Sequence, residues 1–199
     1  MDARFALPEA LPVPHDDGAA DHLRVGPPVA DLELPSTSGY HVNLARLDGR
    51  TVLFIYPRTG EPGKPVPANW DLIPGAHGCT PQTCSFRDLH ADLRKAGAAH
   101  VFGLSTQTAE YQREVADRLH LPFAILSDRE EEEGAERLGK FGQAMNLPWF
   151  EYGGKCLYKR MALVLKEGKV EQVFYPVFPP DRNAGDVLAW LKANAVQSQ

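Results

Sequence analysis

The segment Gly78-Cys79-Thr80-Pro81-Gln82-Thr83-Cys84-Ser85-Phe86-Arg87-Asp88 holds two thiols five residues apart. The first stands where a strand and loop run into a helix. A thiol at a helix N-terminus sits among unpaired backbone N–H groups and the positive end of the macrodipole. Both favour the thiolate, the form that attacks electrophiles. A second thiol close behind can capture an oxidised form of the first, so the pair points to redox chemistry.

The elements that must position these thiols are legible in outline. Thr51 to Tyr56 is a continuous apolar, β-rich run ended by Pro57, as a buried central strand requires. Pro81 to about Ala96 reads as a helix with Phe86, Leu89 and Leu93 on one face. On that wheel Cys84 lies beside Arg87 and Asp88, away from the apolar stripe, which predicts an exposed thiol. His100–Ser105 reads as a strand, Ala109–Leu119 as an amphipathic helix and Pro122–Leu126 as a short strand. An acid-led helix is expected from about Glu131 to Gly142, with Glu130 to Glu133 at its favourable N-terminal end. Glu167-Gly168 between Arg160–Leu165 and Lys169–Tyr175 signals a hairpin, and Asp181–Asn194 closes the chain as a helix. Strands alternating with helices predict an α/β domain.

Two stretches stand apart. Residues 1–24 carry three prolines and no periodicity, and are expected to form an irregular arm before a domain over 25–199. Residues 60–75 hold four prolines and three glycines around one aromatic side chain, Trp70. A patternless loop of this length inside a domain is often functional; Trp70 is expected to anchor it by packing.

Composition excludes several classes. The net charge is −5, with 21 scattered Lys and Arg against 26 acids, so no nucleic-acid surface is expected. No apolar run approaches a membrane span. The opening Met1-Asp2-Ala3-Arg4-Phe5 leads into Pro8 and Pro12 without an apolar core, which predicts no signal peptide and a cytoplasmic location. Three cysteines in a reducing compartment argue against a structural disulfide framework and for a transient, catalytic one. His77, Cys79, Cys84 and His90 match none of the common zinc spacings, so neither metal nor other cofactor is expected.

The order of elements, with a reactive cysteine that follows a strand and opens a helix, is similar to the thioredoxin fold. More narrowly, the chain resembles a peroxiredoxin of the PrxQ, or bacterioferritin comigratory protein, group. The resemblance runs from about Val25 to the last helix. It rests on Tyr56-Pro57, Gly78-Cys79-Thr80, Cys84-Ser85-Phe86-Arg87-Asp88, Phe123-Ala124-Ile125-Leu126-Ser127-Asp128 and Lys159-Arg160-Met161-Ala162-Leu163-Val164. It implies a central mixed sheet flanked by helices, with Cys79 as peroxidatic and Cys84 as resolving cysteine. Arg160 would be the active-site arginine, holding the thiolate and stabilising oxygens that gain charge. It further implies reduction of hydrogen peroxide and small organic hydroperoxides, with the disulfide recycled by thioredoxin or a similar dithiol, in a monomer or weak homodimer.

One departure stands out. The family shows Pro-x-x-x-Thr-x-x-Cys, yet Ala76 stands three residues before Cys79 and Pro57 lies far upstream. Splicing of the 60–75 insertion into the motif would keep Pro57 and Thr59 beside the pocket and return the chain at Gly78-Cys79. Thr59 would then be the stand-in hydroxyl, with Thr80 as the other candidate. Two other readings stay open. One is a single-cysteine peroxidase resolved by an external thiol; the other is a redox sensor or binding protein that uses the pair as a switch. Cys156 reads as a bystander or as a substitute partner, and His77 as a surface histidine or a group that tunes the thiolate.

Overall fold

The computed structural model describes residues 10–60, 63–129 and 137–195. In chain order, α1 is Asp21–Arg24, β1 Glu33–Pro35, β2 His41–Asn43 and β3 Arg50–Ile55. Then come α2 Cys79–Asp88, α3 His90–Lys95, β4 Ala98–Ser105, α4 Ala109–Arg118 and β5 Ile125–Ser127. The chain continues with α5 Lys140–Ala144, β6 Trp149–Tyr152, β7 Lys155–Tyr158, β8 Met161–Lys166, β9 Lys169–Phe174 and α6 Asn183–Ala193. Five strands form one sheet in the order β5-β4-β3-β8-β9. β3, β4 and β5 run parallel, while β8 and β9 run antiparallel to their neighbours.

Alternation along β3 explains how both faces of the sheet are covered. Leu53 and Ile55 join an apolar cluster with Leu23 of α1, Phe141 of α5 and Leu163 of β8. Val52, Phe54 and Tyr56 join another with Phe86 of α2, Leu93 of α3, Val115 of α4 and Leu191 of α6. Burying each such side chain contributes about 1.5–3 kcal/mol. Phe54 and Phe86 stack with centroids 4.3 Å apart, tying the far half of α2 to the central strand. The result is the expected thioredoxin-like arrangement, a mixed sheet between helical layers.

Several expectations need correction. Leu89 breaks the helix expected over 81–96 into α2 and α3. β5 begins at Ile125, because Pro122 has no N–H to give a ladder. Of the helix expected over 131–142, residues 131–136 lie outside the described residues, as do Glu130 to Glu133; Leu138 makes an isolated bridge to Arg129, and α5 starts only at Lys140. The β6–β7 hairpin was not among the expected elements. Cys84 is buried, only 8% exposed, rather than turned to solvent. The single-stripe reading fails there because α2 packs on the sheet and also on α6 with the 3₁₀ turn Pro180–Arg182.

In the described part of the first 24 residues, the chain is irregular up to α1. Ala20 and Leu23 are buried in the core, and Asp17 reaches Lys159 and Tyr175. The described part of the 60–75 stretch holds one 3₁₀ turn, Trp70–Leu72. Trp70 is buried against Ala76 and Leu157, with the rings of Phe150 and Tyr152 beside it. Among the described residues, no helix is long and apolar enough to cross a membrane.

Candidate active site

Register brings the candidate residues together. β3 and β8 are antiparallel with Ile55 opposite Met161, so the strand end that releases Pro57 and Thr59 lies beside Arg160. Gly78, at φ 102°, then turns the chain into α2; this left-handed conformation is open to glycine at little cost. No side chain caps the helix, so the first N–H groups of α2 are left to serve the Cys79 end.

Arg160 is 2% exposed and fully engaged. Its Nη2 donates to the Cys79 sulfur at 3.2 Å and to the carbonyls of Ala76 and His77 at 3.0 and 3.1 Å. Its Nε donates to the Gly75 carbonyl at 3.2 Å, and its Nη1 to Gln82 Oε1. A guanidinium has five N–H donors in a rigid fork, and this one divides them among the 75–77 backbone, the sulfur and Gln82. The Cys79 thiol can itself donate to the Ala76 carbonyl, 3.7 Å away. Helix N-terminus, guanidinium and N–H groups together favour negative charge on this sulfur and on an oxygen next to it.

A cavity of about 280 Å³ opens over Cys79. It is lined by Arg58 to Gly60 after β3, by Lys64 to Pro67 and Trp70, and by His77 to Pro81 at the head of α2. The 60–75 stretch lies in sequence between Thr59 and His77, and both line this cavity. Among the described residues the lining holds the cations Arg58 and Lys64 and no carboxylate. His77 also lines the cavity and holds Asp71 at 2.5 Å.

The other predicted residues fall as follows. Thr59 is buried; its hydroxyl and N–H both donate to Gln107 Oε1, at 3.2 and 2.8 Å, while its carbonyl accepts from Gln107 and Tyr111. Thr80 lines the cavity, whereas Pro57 is buried at the strand end and does not. Cys84 shares helix α2 with Cys79, and all three cysteines are thiols. Cys156 is on β7 opposite Glu151 and outside the cavity lining. Arg87 pairs with Asp88, and its guanidinium is held in the charged form by that carboxylate first and by the Cys84 sulfur among lesser causes. Beneath the site the fully buried Tyr56 phenol is pushed far above its ordinary range, by burial and then by the Cys79 charge; its hydroxyl donates to Gln112. Among the described residues, no cluster of three metal-ligating side chains occurs.

Sequence reasoning missed three polar residues that hold the site: Gln82, Asn183 and Gln107. Gln82 had a signal. It lies three residues after Cys79 and four before Phe86, so it shares the inward face with both.

The comparisons agree with this geometry. The chain matches the Redoxin family over residues 24–188. It is 32% identical over 174 residues to peroxiredoxin Bcp of Escherichia coli K12, covering 87% of this chain and 98% of that one. It is 32% identical to peroxiredoxin bcp1 of Schizosaccharomyces pombe, over 78% of this chain and 77% of that one. The crystal structure of peroxidoxin BcpB from Mycobacterium tuberculosis superposes with a TM-score of 0.65 at 29% identity, covering 87% and 97% of the two chains. Xanthomonas campestris peroxiredoxin Q gives 0.63 at 25% identity, covering 83% and 92%. With its cysteine opening a helix under a buried arginine, the chain belongs to the peroxiredoxins, in the Bcp/PrxQ group, and is a thiol-dependent peroxidase.

Proposed function

We propose that Cys79 is the peroxidatic cysteine and Cys84 its resolving partner. The observation that carries this is Arg160 Nη2 at 3.2 Å from the Cys79 sulfur, at the N-terminus of α2 and on the wall of the cavity. The thiolate attacks the terminal oxygen of a hydroperoxide. A sulfur–oxygen bond forms, the O–O bond breaks, and the leaving hydroxide or alkoxide takes a proton from solvent. Arg160 stabilises the oxygens as charge moves onto them, and Thr59 or Thr80 supplies a hydroxyl to the peroxide. Pro57 and Gly78 fix the two chain segments that form the pocket.

The Cys84 thiolate then attacks the Cys79 sulfenic acid. An S–S bond forms, the S–O bond breaks, and hydroxide leaves to be protonated to water. In an α-helix the Cα atoms of residues 79 and 84 stand roughly 8–9 Å apart, beyond the about 7 Å limit for a disulfide. The first part of α2 therefore unwinds before the bond closes. Thioredoxin, or a similar dithiol, supplies the two electrons that reopen it. Hydrogen peroxide and small organic hydroperoxides are the substrates, and the enzyme works in the cytoplasm as a monomer or weak homodimer. No nucleic acid or membrane takes part.

The test is turnover of hydrogen peroxide and tert-butyl hydroperoxide with a thioredoxin reducing system. Wild type consumes both continuously, and Cys79→Ser consumes neither. A single oxidation without turnover would instead mark a redox sensor.

A further inference from the structure

Gln82 is fully buried, and Asn183 is 1% exposed. Their amides bond at 2.9 Å, Nε2 of Gln82 to Oδ1 of Asn183. The orientation is dictated by chemistry. A guanidinium only donates, so Gln82 must offer Oε1 to Arg160 and turn Nε2 to Asn183, which must answer with its oxygen. A continuous buried chain thus runs from the Cys79 sulfur through Arg160 and Gln82 to the first residue of α6.

The hydroxyls of this half of α2 turn back onto the helix itself. Gly78 gives no side-chain cap. The hydroxyl of Thr83 bonds back to the Cys79 carbonyl and that of Ser85 to the Gln82 carbonyl, a pattern that loosens and bends helices. Beyond Ser85 the restraint changes in kind, because Phe86 is stacked on Phe54 in the core. α2 therefore carries a buried polar tie at Gln82, between the two cysteines, and an aromatic one at Phe86.

We infer that Gln82 and Asn183 form a latch that sets how readily the Cys79 end of α2 unwinds, and hence how the sulfenic acid partitions between disulfide and overoxidation. The inference rests on the proposed Cys79–Cys84 cycle. Gln82 lies between the two cysteines, so drawing their sulfurs together pulls it off both Arg160 and Asn183. While the latch is closed, the sulfenic acid stays in the pocket, exposed to a second peroxide that would add an oxygen to form the sulfinic acid with loss of water or alcohol. Asn183 is a positioning residue: it acts through Gln82 and does not line the cavity.

The experiment is a peroxide titration of Asn183→Ala, Asn183→Ser and Asn183→Asp in the full chain. Mass spectrometry reads Cys79 sulfinic acid against disulfide, and amide exchange reads residues 79–84 in the reduced state. Asn183→Ala removes the acceptor of Gln82, and Asn183→Ser draws it back by one bond, out of reach of the 2.9 Å contact. Each is expected to raise exchange over 79–84 relative to β3 and to raise the half-overoxidation concentration of peroxide about tenfold. Asn183→Asp keeps an acceptor and should return both readouts toward wild type. The serine variant, the milder change, carries the test where alanine unfolds the chain. Wild-type values in both readouts for the serine variant, with the wild-type disulfide forming normally, would overturn the latch. A wild type that forms no Cys79–Cys84 disulfide would instead overturn the underlying cycle, and the latch with it.

Discussion

Arg160 donates to the Cys79 sulfur and to the carbonyls of Ala76 and His77 through one nitrogen, Nη2. The same group that charges the thiol's surroundings therefore also shapes the backbone that presents it. Replacing it removes both functions.

Arg160→Met is expected to slow sulfenic acid formation about 10²–10³-fold, the typical cost of losing a donor to developing negative charge. It also orphans buried carbonyls, at about 1–3 kcal/mol each. Arg160→Lys keeps the charge but not the fork, and should recover stability better than rate. Single-turnover kinetics beside denaturant unfolding separate the two effects.

Thr59→Val tests the stand-in hydroxyl. Gln107 Oε1 keeps the Thr59 N–H when the hydroxyl goes, so the stability loss should stay near 1 kcal/mol. The rate with peroxide should fall at least tenfold, and Thr59→Ser should restore most of it. Unchanged turnover in the valine variant would pass the role to Thr80.

Asp17 ties the N-terminal segment to the short connection between β7 and β8 that carries Lys159 and Arg160. The hydrogen bond from Lys159, then that from Tyr175, hold its carboxyl well below the ordinary range. Its folded pKa is thus depressed, so its stabilisation is fully present above the unfolded value of about 3.9 and is lost as pH falls toward the folded one. Asp17→Asn should cost up to about 1 kcal/mol at pH 7, as a solvent-screened pair does. That difference from wild type should shrink as unfolding is measured from pH 5 down to pH 3. A gap independent of pH would assign the effect to packing.

Gly142 packs against the buried Asp128–Tyr158 pair: an added Cβ would stand 2.0 Å from the Tyr158 hydroxyl. Gly142→Ala should therefore destabilise by about 1–3 kcal/mol through overpacking, read as a lowered thermal midpoint. Activity measured well below that midpoint should be retained.

Much of this architecture was legible because burial leaves a plain mark on Val52–Ile55 and Met161–Leu165, both continuously apolar. The cysteine at the head of α2 was legible from chain order alone. What escaped reading depended on contacts between distant segments. Cys84 looked exposed because a helical wheel sees one partner surface, and α6 provides a second. Gln82 and Asn183 are 101 residues apart, and neither type announces a buried role. The Trp149–Tyr158 hairpin had its signal in Gly153-Gly154, both at positive φ, but its sheet is separate from the main one. The place of Pro57 and Thr59 was legible because they follow the end of β3, where register with β8 sets them beside Arg160.

The central claim is that Cys79 reacts and Cys84 resolves it by unwinding α2. Peptide mass mapping after one equivalent of hydrogen peroxide tests it most directly, on wild type and on Cys84→Ser. The account predicts a Cys79–Cys84 disulfide in wild type and a persistent Cys79 sulfenic acid, formed at the wild-type rate, in the variant. Persistent Cys79 sulfenic acid in wild type, with Cys84 still a thiol, would contradict it.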